Sequence, residues 1–412
     1  METERLEGEP LFEPTPCESA IVSPAAPAEH AKRDLDEASR WTHPLKPSLP
    51  RSVELVSARD DVAALAGYHS AQVDVDVRLN TNESPFPPPA SWLAELTAEL
   101  AGVAWNRYPD RGATGLRRDI ARFHNVEPTT VFAANGSNEA LQTLLLAYAG
   151  PGRSVLVFEP TYQLHAHIAR TTGAAVVAGV RGRGFTLDPV GAAATVAAHQ
   201  PAVTFLCSPN NPTGLVESPA VLDAVLDASD GLVVVDEAYA EFSSWSALER
   251  VADDERVVVV RTFSKIWSMA AVRLGYLVGP SWLVAQLDKV ALPYHLDAAK
   301  QLAGQVALRH VGDMQQRVDA LIAERTRVSA ALEQLGLEVF PSGANFVLFR
   351  TTDHDPRRVW QRLVDAGVLI RDCSGWPRLE NCLRVTIGLP TENDRFVAAM
   401  VDALAAVDAG TQ

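Results

Sequence analysis

A lysine, an aspartate and a tyrosine stand where two apolar runs break off. Val257 to Lys265 reads VVVVRTFSK, four β-branched residues leading into a polar turn that ends on Lys265. Leu232 to Tyr239 reads LVVVDEAY and breaks in the same way onto Asp236 and Tyr239. Short continuous apolar runs of this kind suit strands buried on both faces of a parallel sheet, and ligands of such sheets collect outside the carboxyl ends of the strands. An amine, a carboxylate and a phenol gathered there match the needs of pyridoxal phosphate: an amine to bond its aldehyde, an acid for its ring nitrogen and a hydroxyl for its ring oxygen. Taken singly, Asp236 is better read as a turn cap and Lys265 as a solvated loop lysine. Their placement at neighbouring strand ends favours a site.

Other strand ends add to it. From Val131 onward apolar runs alternate with helical patterns, the signature of a parallel sheet with crossovers. VFAANGSNEA places Ser137 and Asn138 where a helix opens, and backbone N–H groups at a helix N-terminus bind phosphate; an ordinary Ser or Asn cap is the plainer reading. SVLVFEPTY ends on Tyr162, a ring able to stack on a flat heterocycle or to sit on a rim. VTFLCSPNNPTG carries Asn211, which suits a ring oxygen as well as a turn. Ser264 and Arg273 follow the Val257 run and can complete a phosphate cup, unless Arg273 is spent in a surface ion pair.

The composition bounds what surrounds these residues. The chain has 412 residues, 47% hydrophobic and 21% charged, so one large domain plus a smaller one is expected. Lys+Arg 36 against Asp+Glu 51 leaves a net charge of -15, which argues against nonspecific nucleic-acid binding. Cys17, Cys207, Cys373 and Cys382 show neither C-x-x-C pairing nor zinc-ligand spacing, so no metal site is expected and a reducing compartment is. The acidic start METERLEGEP is unlike a signal peptide, and no apolar run approaches a membrane span. These features predict a cytoplasmic protein with no membrane partner.

Along the chain, residues 1–50 read as a disordered Pro- and Ala-rich tail. Residues 51–82 read as an arm and part of a small domain, with a short helix within Arg51 to Tyr68. Residues 83–295 then form a large cofactor-binding domain and 296–412 a small C-terminal one. RLNTNESPFPPP, Arg78 to Pro89, is an extended connector whose prolines remove donors, so it should lie across something else. A helix is predicted from Ser91 as N-cap, with Trp92, Leu93, Leu96 and Leu100 on one face.

SPNNPTG, VVVDEAY and TFSK followed by RLGY, in this order, resemble the fold type I pyridoxal phosphate aminotransferases. Within them the chain is similar to histidinol-phosphate aminotransferases, through RLNTNESPFPPP, RYPD at Arg107 to Asp110, AANGSNE, LPYHL at Leu292 to Leu296, ANFVLF at Ala344 to Phe349, LIRD and CLRVTIG. The resemblance spans roughly Arg51 to Ala405. It implies an α/β fold, with a three-layer large domain around a mostly parallel sheet plus a smaller α/β domain.

Further expectations follow from that resemblance. Lys265 would carry the cofactor and shuttle the proton at the substrate's Cα, and Asp236 would keep the ring nitrogen protonated. Tyr239 and Asn211 would bind the ring oxygen, Tyr162 would stack on the ring, and Ser137, Asn138, Ser264 and Arg273 would hold the phosphate. Tyr108 would reach the cofactor phosphate of a neighbouring subunit, making the site a property of a homodimer. Arg384 in CLRVTIG and Arg371 in LIRD would hold the substrate's phosphate or the carboxylate of glutamate, both anions suiting bidentate arginine, although Arg371 is nearly as well read as half of a structural ion pair. Asn345 and Tyr68 would line the same pocket.

The implied reaction is amino transfer between histidinol phosphate and 2-oxoglutarate, with glutamate as co-product. Aromatic amino-acid transamination, decarboxylation of a phosphorylated amino acid and a non-catalytic cofactor sensor are the alternatives. The chain departs from the family in Ile266 to Val272, where relatives carry small residues and this segment carries Trp and Met. That bulk is expected to reshape the phosphate side, and GWPRLEN, Gly375 to Asn381, the pocket mouth. Lys265→Ala should abolish turnover while the protein still folds; a variant with full activity in a transamination assay contradicts the assignment.

Overall fold

A computed structural model describes residues 56–67 and 71–409, and the elements below belong to the compact unit that begins at Ala58. The tail of residues 1–50, the start of the arm and Tyr68 lie outside the described residues. Of the arm's helix, the described part is one turn, Asp60–Ala63.

Two sheets carry the fold. The first has seven strands: β2 (Val131–Ala134), β3 (Ser154–Glu159), β4 (Ala175–Val180), β5 (Val203–Cys207), β6 (Leu232–Asp236), β7 (Val257–Thr262) and β8 (Gly275–Val278). They lie in the order β2-β8-β7-β6-β5-β3-β4. All run in one direction except β8, which is antiparallel to both neighbours. The reason is visible in β6 and β7, whose valines alternate between two cores. Val234, Val258 and Val260 face a cluster built with helices Ser137–Tyr148 and Ser281–Val290. Val233, Val235, Val257 and Val259 face one built with helices Pro189–His199 and Pro219–Ala228. Helix, sheet and helix make three layers, and strands covered on both faces need apolar residues at every position.

The second sheet has five strands in the order β1-β11-β12-β10-β9: β1 (Val77–Leu79), β9 (Glu338–Val339), β10 (Phe346–Arg350), β11 (Val368–Asp372) and β12 (Cys382–Thr386). Strand β1 pairs parallel with β11, although the whole first sheet separates them in sequence. The others pair antiparallel. The proline-rich connector therefore leaves β1 and passes directly between the two sheets. Among the described residues no helix is long and apolar enough to cross a membrane.

The helix after the connector differs from expectation. It spans Ala90–Leu100, capped at the backbone by Pro89, so Ser91 sits inside its first turn and caps nothing. The proline run ends in extended backbone and its last member begins the helix, a role proline's fixed φ suits. Trp92 and Leu96 are buried as expected, whereas Leu93 is 58% exposed.

Strand β8 begins where two backbones touch. A Cβ on Gly275 would lie 2.2 Å from the Ser137 nitrogen and 2.6 Å from the Gly136 carbonyl carbon. Gly275→Ala should destabilise the protein by about 1–3 kcal/mol in denaturant unfolding; unchanged stability contradicts this packing.

Candidate active site

The carboxyl ends of β2, β3, β5, β6 and β7 open onto a cavity of about 490 Å³. Ser137, Asn138, Tyr162, Asn211, Asp236, Tyr239, Ser264, Lys265, Arg273, Arg371 and Arg384 all line it. Its size suits one small cofactor with a substrate.

Lys265 stands three residues beyond β7. Its Nζ donates to the Thr81 carbonyl at 3.0 Å and lies 5.7 Å above the Tyr239 ring. Burial pulls its pKa down from the usual lysine value to about 8; Arg384 and Arg273 push the same way, against Glu83 and Asp236. Lys265 is therefore no solvated loop lysine. Near neutrality a sizeable share of its amine is free to act as a nucleophile.

Asp236 is the last residue of β6 and only 3% exposed. Its Oδ1 accepts from the Ala238 N–H at 3.1 Å, the turn-cap role, while Oδ2 faces His165 Nε2 at 2.8 Å. Cap and site therefore share one carboxylate. His165 was missed in the sequence. Its ring lies flat against Phe205, centroids 4.4 Å apart and planes 2° apart, and edge-on to Tyr162 at 5.3 Å. Tyr162 immediately precedes helix Gln163–Thr171 and His165 lies one turn further on, which is the signal that would have found it.

The connector, expected to lie across something else, lies against the site, and it supplies residues the sequence reading did not single out. Asn82 Nδ2 donates to the Tyr239 hydroxyl at 2.8 Å, and burial pushes that phenol's pKa up. Arg384 donates to the Asn211 side chain and, at 2.8 Å, to the Asn80 carbonyl. Its Nε is buried and has no hydrogen-bond partner among the described residues.

On the phosphate side, Gly136 takes φ +79 and precedes helix Ser137–Tyr148, whose first turn faces the cavity. Arg273 Nη1 donates to Ser264 Oγ at 3.1 Å. A Cβ on Gly136 would lie 2.9 Å from Arg273 Nη2, which could swing aside, so the preference for glycine here rests on the left-handed φ of +79. The expected distortion from Ile266 to Val272 is not present. Ile266, Trp267 and Met269 turn into the core, and only Ala270 and Ala271 of this segment line the cavity. Close backbone approach on this side of the site comes at Gly275, against Gly136 and Ser137.

Three expected residues stand apart. Asn345 is buried but does not line the cavity; its Nδ2 donates to the Asn82 carbonyl at 3.2 Å, so it supports the connector. Tyr108 is 80% exposed, stacked on Tyr294 at 4.5 Å and away from this chain's own cavity. Tyr68 is outside the described residues.

The substrate-side arginines are brought together by register. Arg371 of β11 and Arg384 of β12 are direct antiparallel partners, 9% and 5% exposed, so both side chains leave the same face of the sheet. Arg371 Cζ lies 5.3 Å from the centre of the Trp376 ring, and Trp376 from GWPRLEN lines the cavity mouth with it. Two buried like charges opposite each other repel, and a shared anion relieves that repulsion. Among the described residues no cluster of His, Cys, Asp and Glu is disposed to hold a metal ion.

A lysine amine, a buried acid and a helix N-terminus thus share one sheet edge and face paired arginines. The aminotransferase class I and II family model matches residues 74–400. The chain belongs to the class I and II aminotransferases. It is 44% identical over 372 residues to the histidinol-phosphate aminotransferase of Frankia casuarinae, covering 86% of this chain and 92% of that one. It is also 44% identical over 351 residues to that of Mycobacterium avium, covering 83% and 87%. Its fold matches the histidinol-phosphate aminotransferase of Sinorhizobium meliloti solved with pyridoxal-5'-phosphate, at a TM-score of 0.75 and 24% identity over 81% of this chain and 92% of that one.

In this aminotransferase, raising the pH through 8 should deprotonate Lys265, well below the usual lysine value. Reductive methylation of cofactor-free protein, read by peptide mass, should reach half its limiting rate at Lys265 near pH 8. A midpoint above pH 10 contradicts the described environment.

Proposed function

We propose that this chain binds pyridoxal phosphate through Lys265 and transfers an amino group between histidinol phosphate and 2-oxoglutarate, a step of histidine biosynthesis. The observation that carries the choice of substrate is the register pairing of Arg371 with Arg384 in the wall of the lysine's cavity. A donor with a distal phosphate suits two arginines, and glutamate's two carboxylates can take the same places in the reverse half-reaction. The 44% identity to proteins of that name supports the same reading.

The residues fit the cofactor. Arg273 and the helix N-terminus after Gly136 would offer donors to its phosphate. Asp236, backed by His165, offers a carboxylate to the ring nitrogen, and Tyr239 and Asn211 offer polar groups to the ring oxygen. Tyr162, which lines the same cavity, would stack on the ring. When bound, pyridoxal phosphate supplies an electron-accepting ring that makes the donor's Cα proton removable.

The chain's own residues do the rest. Asp236 holds a proton at the ring nitrogen, and His165 keeps that carboxylate oriented. Lys265, its amine brought by burial closer to neutrality than an ordinary lysine, takes the Cα proton and returns it one atom away. Asn82 orients the Tyr239 hydroxyl. Arg384, fixed by Asn80 and Asn211, binds the anion nearer the reacting carbon, and Arg371 binds the distal one.

The proposed enzyme is a homodimer in which Tyr108 contributes to the partner's phosphate site. Its exposure and its stacking on Tyr294, beside exposed Leu292, support that reading. The parallel pairing of β1 with β11 supports a small domain made from the segment before Asn82 and the C-terminal third. The buried free thiols Cys207, Cys373 and Cys382 suit a reducing cytoplasm.

Initial rates with histidinol phosphate, phenylalanine and phosphorylated amino acids as donors test the reading. Histidinol phosphate should give the highest kcat/KM, with no release of carbon dioxide. Arg371→Ala should raise the KM for histidinol phosphate about tenfold or more, the loss of a charge-assisted contact, with kcat changed far less. An unchanged KM points instead to aromatic amino-acid transamination.

A further inference from the structure

We propose that Thr386, acting through Asn82, fixes the direction of the Tyr239 hydroxyl so that it gives its proton to the cofactor's ring oxygen. Thr386 and Asn82 are positioning residues. The inference rests on the cofactor reading above and adds what sets the polarity of one hydrogen bond at the ring.

The polarity originates on β12. Thr386 Oγ1 accepts from the Asn82 backbone N–H at 2.9 Å, a group that can only donate, and this leaves the hydroxyl its own proton to place. Among the described residues its acceptor is Asn82 Oδ1, at 3.1 Å. The Asn82 amide is thereby oriented, oxygen toward Thr386 and Nδ2 toward the Tyr239 hydroxyl, to which it donates at 2.8 Å. A hydroxyl that accepts on that side gives its proton elsewhere. Among the described residues it has no other hydrogen-bond partner, and Tyr239 lines the cavity, so the proton is left for a ligand there. Burial pushes the phenol's pKa up, which keeps that proton on the oxygen across the neutral range.

Asn82 is held on every side. It is 1% exposed and takes a φ of 56, a left-handed conformation that asparagine tolerates better than most residues. Its carbonyl accepts from Asn345 Nδ2 at 3.2 Å. Turned over, the amide would set its oxygen against Tyr239, and the hydroxyl would spend its proton on Asn82 instead of on the ligand. A hydrogen bond donated to an oxygen favours that oxygen's ionised form. The ring oxygen shares a proton with the nitrogen that would join the cofactor to Lys265, so a fixed donor at the oxygen lets that proton leave at a lower pH. Arg384, Asp236 and Cys207 face the phenol, and Arg273 and Glu83 stand with Arg384 and Asp236 around Lys265. A change at Thr386 alters none of these groups.

The test is a pH titration of the visible absorbance band of reconstituted holoprotein, in wild type, Thr386→Val, Thr386→Ala, Thr386→Ser, Tyr239→Phe and the Tyr239→Phe/Thr386→Val double variant. Thr386→Val and Thr386→Ala, which both lack the hydroxyl, should each raise the midpoint by about one pH unit, the scale of a hydrogen bond to a charged group. Thr386→Ser, which keeps the hydroxyl, should hold the wild-type midpoint. Tyr239→Phe should raise it at least as far as Thr386→Val does. Adding Thr386→Val to Tyr239→Phe should move it no further, because the effect passes through the phenol. A wild-type midpoint in both Thr386→Val and Thr386→Ala, a raised one in Thr386→Ser, or a full shift in the Tyr239→Phe background overturns the inference alone. Wild-type protein with no visible band after reconstitution overturns the cofactor reading and this inference together.

Discussion

The parallel pairing of β6 with β7 is the constraint on which the site depends. Val233 pairs with Val257, Val234 with Val258, Val235 with Val259 and Asp236 with Val260, so the acid that ends one strand is fixed relative to the lysine just beyond the other. Valines packed on both faces hold that register. A slip of one residue would move Asp236 by roughly 3.3 Å along the strand and turn its side chain to the opposite face. The apolar runs that look like structural filler are what set the geometry of the polar site.

The second constraint is the connector between the sheets. Asn80, Thr81 and Asn82 receive or make contacts with Arg384, Lys265 and Tyr239 in turn, and the Asn82 N–H donates to Thr386 at 2.9 Å. Three consecutive residues thus touch the arginine, the amine and the phenol of one cavity. Asn345 holds this stretch from below. The prolines that follow keep the chain extended, so it crosses the site without folding back on itself.

Much of this was legible in the sequence because parallel strands covered on both faces are short and uniformly apolar, so their polar ends stand out. Lys265, Asp236, Tyr239, Asn211 and Ser137 were found in that way and do meet. What escaped depended on contacts distant in sequence or on which way a side chain turns. His165 sits on a helix and reveals itself only through Asp236. The direct opposition of Arg371 and Arg384 is a matter of register, which spacing alone does not give. The antiparallel β8 and the turning of Ile266, Trp267 and Met269 into the core are decided by packing. Ser91 looked like a cap because serine commonly is one, and Pro89 had already started the helix.

The most direct test of the account is to reduce purified holoprotein with borohydride, digest it and find by mass which peptide carries the cofactor. The account predicts one pyridoxyl group per chain on Lys265, and loss of the visible absorbance band in step with that modification. Protein that retains no cofactor after reconstitution, or carries it on another lysine such as Lys300 or Lys289, contradicts it.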